Sequence, residues 1–249
     1  QRLIRARTSD SEVSLSRDIM GRVVKESSQR HEVLSQFDIL GQRVHIGSSL
    51  GADIALDYDE AMGWNSGIRS KGWQSTMRRN RIGQETARAL TGDLVLEQDY
   101  DYAGRLSRQT IGNRKRGGYV HRDYRWDGDR LVGLKDSATG EKKFKHDVHG
   151  NLAEILYGDG TTEFRMPDAI GNLYERAEQQ DRQYGAAGKL VKTKDGSYRY
   201  DQQGNLIEKH DYRQGTWQYA WNSAGMLEKV IRPDGEAVTF GYDALGRRL

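Results

Sequence analysis

An all-β array of consecutive antiparallel hairpins, rolled into a hollow shell or part of one, is the fold this sequence predicts, on three observations. A short phrase built on an aromatic residue, Asp and Gly recurs about twelve times in 249 residues. Rings before its glycine fall on alternate positions. Glycine numbers 29 against two prolines, the skew of many tight turns at positive φ between short extended segments.

The phrase reads aromatic, Asp, two variable residues, Gly, Asn or Arg, Leu. It is clearest at Tyr100-Asp101 to Gly104-Arg105-Leu106, Tyr200-Asp201 to Gly204-Asn205-Leu206, Trp221-Asn222 to Gly225-Met226-Leu227 and Tyr242-Asp243 to Gly246-Arg247. Weaker copies contain Phe37-Asp38, His146-Asp147, Pro167-Asp168 and Tyr184-Gly185, and the most degenerate centre on Gly21, Gly63, Gly83 and Gly128. Between Gly21 and Gly246 the motif glycines stand 16 to 24 residues apart, so residues 1–249 read as a single segment. Its repeats are degenerate over 1–99 and clearer over 100–249, and its start on Gln1 rather than Met predicts a fragment of a longer chain.

Each unit has its own logic. Trp217, Tyr219 and Trp221, or Tyr198 and Tyr200, give a period of two, hence a strand with one aromatic face. The glycine takes the left-handed position of a turn, the Asp accepts backbone N–H groups, and Leu206 or Leu227 opens the returning strand. A second turn follows at Thr139-Gly140, Asp159-Gly160, Asp195-Gly196, Gln214-Gly215 and Asp234-Gly235. About 24 strands at roughly 4.8 Å make a wall about 115 Å across, and closed once it is about 37 Å wide, too wide for side chains to fill. Cross-strand stacks of Tyr, Trp, Phe and Leu are expected to hold this single layer together. Unpaired strand edges at Gln1 and Leu249 are expected to pair with further repeats or another copy.

Composition excludes several classes. Lys plus Arg number 39 against 36 Asp plus Glu, for a net charge of +3, which is not a polybasic nucleic-acid binder. Leu, Ile, Val and Phe supply only 48 residues, so the 18 Tyr plus Trp must provide buried area. With no Cys there is neither disulfide nor thiolate chemistry, and no apolar run is long enough to be a membrane-spanning helix.

The Tyr-Asp-x-x-Gly-Asn/Arg-Leu phrase resembles the YD repeat of rearrangement hot spot (Rhs) proteins, Tc-toxin C components, wall-associated proteins and teneurins. The stretch Tyr124 to Val132 and the ending Pro233-Asp234-Gly235 to Gly246-Arg247 resemble bacterial Rhs cores in particular. The resemblance covers nearly the whole chain. It implies a β-cocoon sequestering a C-terminal toxin in effectors delivered by contact-dependent systems such as type VI secretion. The implied partners are that toxin domain, the remaining Rhs core, a VgrG-like spike and a chaperone. It implies a delivered or secreted protein of bacterial competition, and the self-cleavage segment and toxin of the family are not in this sequence.

No catalytic, cofactor-binding or metal residue is assigned, and no cofactor. His146-x-x-His149 has a metal-like spacing, but strand-turn context need not put both rings on one face. Asp53, Asp57, Asp59 and Glu60 lack the Gly and Glu register of a calcium loop. Asp101, Asp147, Asp168, Asp201 and Asp243 recur with the repeat, which points to turn capping rather than acid–base chemistry. Arg78, Arg79 and Arg81, and Arg114, Lys115 and Arg116, read as a solvated surface or an inner wall facing a charged payload. The reading is therefore structural encapsulation, not an enzyme. The alternative is a cell-surface carbohydrate-binding or adhesive module, separated from it by whether the aromatic rows are buried or open.

Overall fold

The computed structural model describes residues 2–29 and 31–249. Gln1, one of the two expected strand edges, lies outside them. The described residues form 25 strands and one three-residue 3-10 turn, Ala186–Gly188. Sixteen strands, from Arg5–Arg7 to Thr162–Phe164, form one sheet in which each is hydrogen bonded to its chain neighbours. Seven more, from Arg182–Tyr184 to Ala237–Thr239, form a second sheet in the same manner. Every pairing given residue by residue is antiparallel, as hairpin following hairpin requires.

The array is interrupted once. Residues 165–181 hold only the two-residue strands Met166–Pro167 and Leu173–Tyr174. Pro167, which stands where other repeats carry an aromatic residue, has no N–H to give a ladder, and the following repeats are shortened. The expectation of one unbroken ribbon is corrected here to two ladders and a short connector. Neither ladder closes on itself, and each begins and ends on a three-residue strand. Very short edge strands offer few unpaired groups to a neighbour. At Leu249 the backbone N–H donates to Gly241 O at 3.0 Å, and Tyr242 bridges Arg248.

By contact density the chain divides into two units. One runs to Glu141 and includes Asp243–Leu245; the other holds Lys142–Tyr242 and Gly246–Leu249. Within each, the layer is thin. Among the described residues the buried apolar side chains are Val13, Met77, Val95 and Ile155. Along Gly215–Trp221 half-buried Trp217, Tyr219 and Trp221 alternate with exposed Gln218 and Ala220, the period-two pattern of a strand with one covered face.

All twelve motif glycines have positive φ, from 52° at Gly128 to 93° at Gly204. So do Gly140, Gly160, Gly215 and Gly235 of the second turns. Gly196 differs: it begins the strand Gly196–Tyr200, is buried, and a Cβ there would lie 2.5 Å from His210 O. Close backbone approach, not a left-handed turn, explains that glycine.

Candidate functional site

The recurring motif is the site, because each copy builds one joint of the wall. At Asp101 the backbone N–H donates to Arg105 O at 2.9 Å, and Gly104 N–H donates back to Asp101 O at 2.9 Å. Asp101 Oδ1 accepts the N–H groups of Ala103 and Arg105, each at 2.9 Å. Asp147 and Asp168 repeat this pair of bonds, and Asn80 and Asn222 do so with an amide oxygen. The motif aspartates are turn caps.

The residue after the glycine completes the cap. Arg105 Nε reaches Asp101 Oδ2 at 2.8 Å, and Asn151, Asn172 and Asn205 Nδ2 reach their own Asp at 3.1, 2.8 and 2.9 Å. This is why Asn or Arg follows Gly: its backbone and side chain serve the two carboxylate oxygens together. The Arg105 guanidinium, then two backbone N–H groups, hold the Asp101 carboxyl below the usual carboxylate range, and Asn205 and Asn151 do the same for Asp201 and Asp147. For Asp18 and Asp168 burial opposes the shift, and the bonds from Arg22 and Asn172 outweigh it. Asp136 caps a second turn: Arg122 Nε at 2.7 Å and the Ala138 and Thr139 N–H groups lower it to about 2.

The aromatic position does something the sequence does not announce. In ten units the ladder slips by one residue immediately before it, as between Arg199 and Tyr200 or Ser16 and Arg17. Such a bulge bends the strand and re-aims the next side chain. In most units the side chain then donates to a carbonyl in the preceding unit, on the residue two past that unit's glycine; Phe37 and His146 make no such bond among the described residues. Tyr58 O–H reaches Arg43 O at 2.9 Å, Tyr100 reaches Glu85 O at 2.8 Å, Tyr200 reaches Leu190 O at 2.9 Å and Tyr242 reaches Leu227 O at 2.7 Å. Tyr184 bonds Leu173 O in the same way. Trp126 and Trp221 use Nε1, to Leu106 O and Leu206 O at 2.8 and 2.7 Å. Arg79 uses guanidinium N–H, to Asn65 O, and Arg17, which no motif glycine precedes, uses its own to Leu3 O.

The expected stacks of rings from successive units are therefore corrected. Among the described residues the ring pairs are Tyr119–His121, Tyr174–Tyr184 and His210–Tyr212, and none joins two motif positions. Donor-to-carbonyl rungs and cations replace them. Arg22, Arg105 and Lys189, each just after a motif glycine, lie 4.7, 5.8 and 5.8 Å from the next unit's Phe37, Trp126 and Tyr200 ring centres.

The same post-glycine position also spaces the turns. Gln42 Nε2 donates to Gly63 O at 3.2 Å and Gln84 Nε2 to Gly104 O at 2.7 Å. The Trp64 ring covers Gly83, 3.1 Å from where a Cβ would stand. The turns at Gly63, Gly83 and Gly104 are thus each seated on the one before, which fixes the repeat there near two strands' worth of chain.

Other acidic side chains have local partners. Asp53 accepts from His45 Nε2 at 2.6 Å, Asp57 binds Arg69 bidentately at 2.6 and 2.9 Å, and Asp59 caps its turn. Glu60 is exposed. His146 ends the strand Gly140–His146 half-buried, while His149 is exposed in the turn beyond it. Arg79 belongs to the wall; Arg78 and Arg81 are exposed. Lys115 pairs with Asp93 at 3.0 Å in an exposed second turn with Arg114 and Arg116.

Sequence reading missed the bulge and the donor role. The signal was present: the twelve positions hold Tyr, Trp, Arg or His, all with a side-chain N–H or O–H, everywhere except Phe37 and Pro167.

Comparison with known proteins agrees with this geometry. The family described as teneurin YD-shell matches residues 124–249. The probable deoxyribonuclease RhsA of Dickeya dadantii (strain 3937) is 32% identical over 193 residues, covering 70% of this chain and 13% of that protein. Double-stranded DNA deaminase toxin A of Burkholderia cenocepacia (strain H111) is 30% identical over 181 residues, 69% of this chain and 13% of its own. The chain thus spans a small part of the curated relatives it matches. In the Photorhabdus luminescens Tc holotoxin pore, 16% of one chain matches 93% of this one with a TM-score of 0.61 at 14% identity, a likeness of fold. With half of the chain inside the family's match and the motif turn repeated throughout, the chain belongs to the YD-shell family and is an Rhs-type YD-repeat protein.

Proposed function

We propose that this chain is a stretch of wall in a β-shell that encloses a toxin domain of the same polypeptide. It acts structurally, not as an enzyme; the deoxyribonuclease and deaminase named for its relatives belong to those whole proteins. The observation that carries the reading is the placement of the motif aromatics. Their rings are half-buried and their polar ends tied to backbone carbonyls of the preceding repeat, as a wall requires, whereas a sugar-binding row would hold them open to solvent. In this reading residues 1–249 are a single segment of Rhs core, two ladders and their connector, completed by further Rhs core. The enclosed protein is exported by a delivery system, with a VgrG-like spike and a chaperone as its partners, against competing cells.

The test is limited proteolysis of the longest natural polypeptide containing this segment. A C-terminal domain that stays uncut while the wall is intact, and is digested once Gly83→Val and Gly204→Val loosen two turns, is the expected result. Equal cleavage in both forms contradicts enclosure.

A further inference from the structure

The motif turns of the first unit carry apolar residues that the turn itself does not require. The two residues between Asp and Gly include Ile19, Ile39, Leu40, Ile82 and Tyr102, and Met62 stands in the longer third turn. Ile19, Ile39 and Tyr102 are fully exposed; Leu40, Met62 and Ile82 are more than half exposed. Further along, the same turn holds one exposed apolar residue at Val148 and at Ile170, and none as large at Gln202-Gln203 and Ser223-Ala224. Turns on the opposite side of the strands are mostly polar, as at Lys71-Gly72, Thr91-Gly92-Asp93 and Arg114-Lys115-Arg116.

These tips form a row, because each turn is seated on its predecessor through Arg22, Gln42, Trp64 and Gln84. Two strands separate adjacent tips, a pitch of about 10 Å. Six such side chains offer about 400–700 Å² of apolar surface, taking roughly 60–120 Å² each. That is at or above the largest patch usual on a monomer, about 300–600 Å², and near the roughly 800 Å² one partner gives a standard interface.

We propose that this row is a dimer interface, occupied by the same row of a second copy running antiparallel. A periodic ridge is filled tip by tip only by a surface of equal pitch, and a second copy has that pitch by construction. The charges supply the register. Among the variable residues of these five turns, the charged ones are Glu60 in the third and Arg81 in the fourth; both are exposed and neither has an ion-pair partner among the described residues. A two-fold axis between the third and fourth turns sets Glu60 against the second copy's Arg81 and Arg81 against its Glu60. The same axis brings Ile39 and Leu40 onto Tyr102. The patch is then self-complementary, as an isologous contact must be.

Sedimentation equilibrium of the 249-residue chain tests this directly. A dimer with a dissociation constant below about 100 μM is expected. Ile39→Asp with Tyr102→Asp should make it monomeric with an unchanged far-ultraviolet β spectrum, since both side chains are already exposed. Glu60→Arg and Arg81→Glu should each weaken association at least about tenfold, and the two together should restore it. Three results overturn the proposal: a monomer at all concentrations, an association indifferent to the tip variants and hence running through strand edges, or a double variant no tighter than the singles. A monomeric chain that floats with phosphatidylcholine–phosphatidylglycerol vesicles gives the row to a lipid surface and equally overturns it.

Discussion

The repeats of residues 1–99 and those of 100–249 differ in sequence yet build the same joint. In the later set the rung is a Tyr or Trp: Tyr100, Trp126, Tyr184, Tyr200, Trp221 and Tyr242. In the earlier set Tyr58 does the same, Arg79 reaches the equivalent carbonyl with its guanidinium, Arg17 reaches Leu3 O, and Asn80 caps as Asn222 does later. Two side chains as unlike as Tyr and Arg share one property here, a donor at the end of a long stem. The joint therefore selects for reach and an N–H or O–H, and the ring is one way of supplying them. Degeneracy in the first third is chemical substitution within a conserved geometry.

The largest expected effect tests whether the earlier repeats carry stability at all. Gly83→Val must place a β-branched residue at φ 87° with the Trp64 ring 3.1 Å from its Cβ. It should cost about 2–4 kcal/mol in urea unfolding. Gly204→Val has the same strain but meets only the flexible end of Lys189, so about 1–2 kcal/mol is expected. A neutral Gly83→Val would remove the equivalence of the two sets.

Acid sharpens the comparison from another side. Carboxylate caps whose folded pKa is depressed stabilise the protein above their unfolded pKa, near 3.9, and that stability is lost as pH falls through the folded value. For Asp136 that means down to about pH 2. The thermal midpoint should thus drop between about pH 4 and pH 2. Asp101→Asn keeps the Oδ1 cap but loses the Arg105 ion pair, so it should lower the neutral-pH midpoint and flatten this drop; an unchanged acid slope would mean the caps are not the titrating groups.

Smaller effects probe single rungs. Tyr100→Phe keeps the ring and loses the bond to Glu85 O, about 0.5–1.5 kcal/mol. Phe37→Tyr is the converse, since Phe37 has the Arg22 and Arg43 guanidiniums over its ring but no donor of its own; a gain of up to about 1 kcal/mol is expected in the same unfolding assay.

Much of this was legible in the sequence and some was not, for physical reasons. The glycine spacing and alternating rings predict the hairpins because turns and pleats leave local signatures. The Asp caps were legible for the same reason, each being satisfied within five residues. The rungs from Tyr200 to Leu190 O and from Tyr242 to Leu227 O join neighbouring units through a bulge, and a bulge has no residue signature of its own. The interruption near Pro167 shows in sequence as two short intervals, without saying that the ladder ends there.

The measurement that bears most directly on the shared joint is the stability of Arg79→Tyr against Arg79→Phe. Both put a ring in the position and differ by one oxygen. If the donor to Asn65 O is what the joint needs, Arg79→Tyr should be the more stable by about 0.5–1.5 kcal/mol and close to the parent chain. Equal stabilities, or an advantage for Arg79→Phe, would show that ring packing and not the rung holds the repeats together.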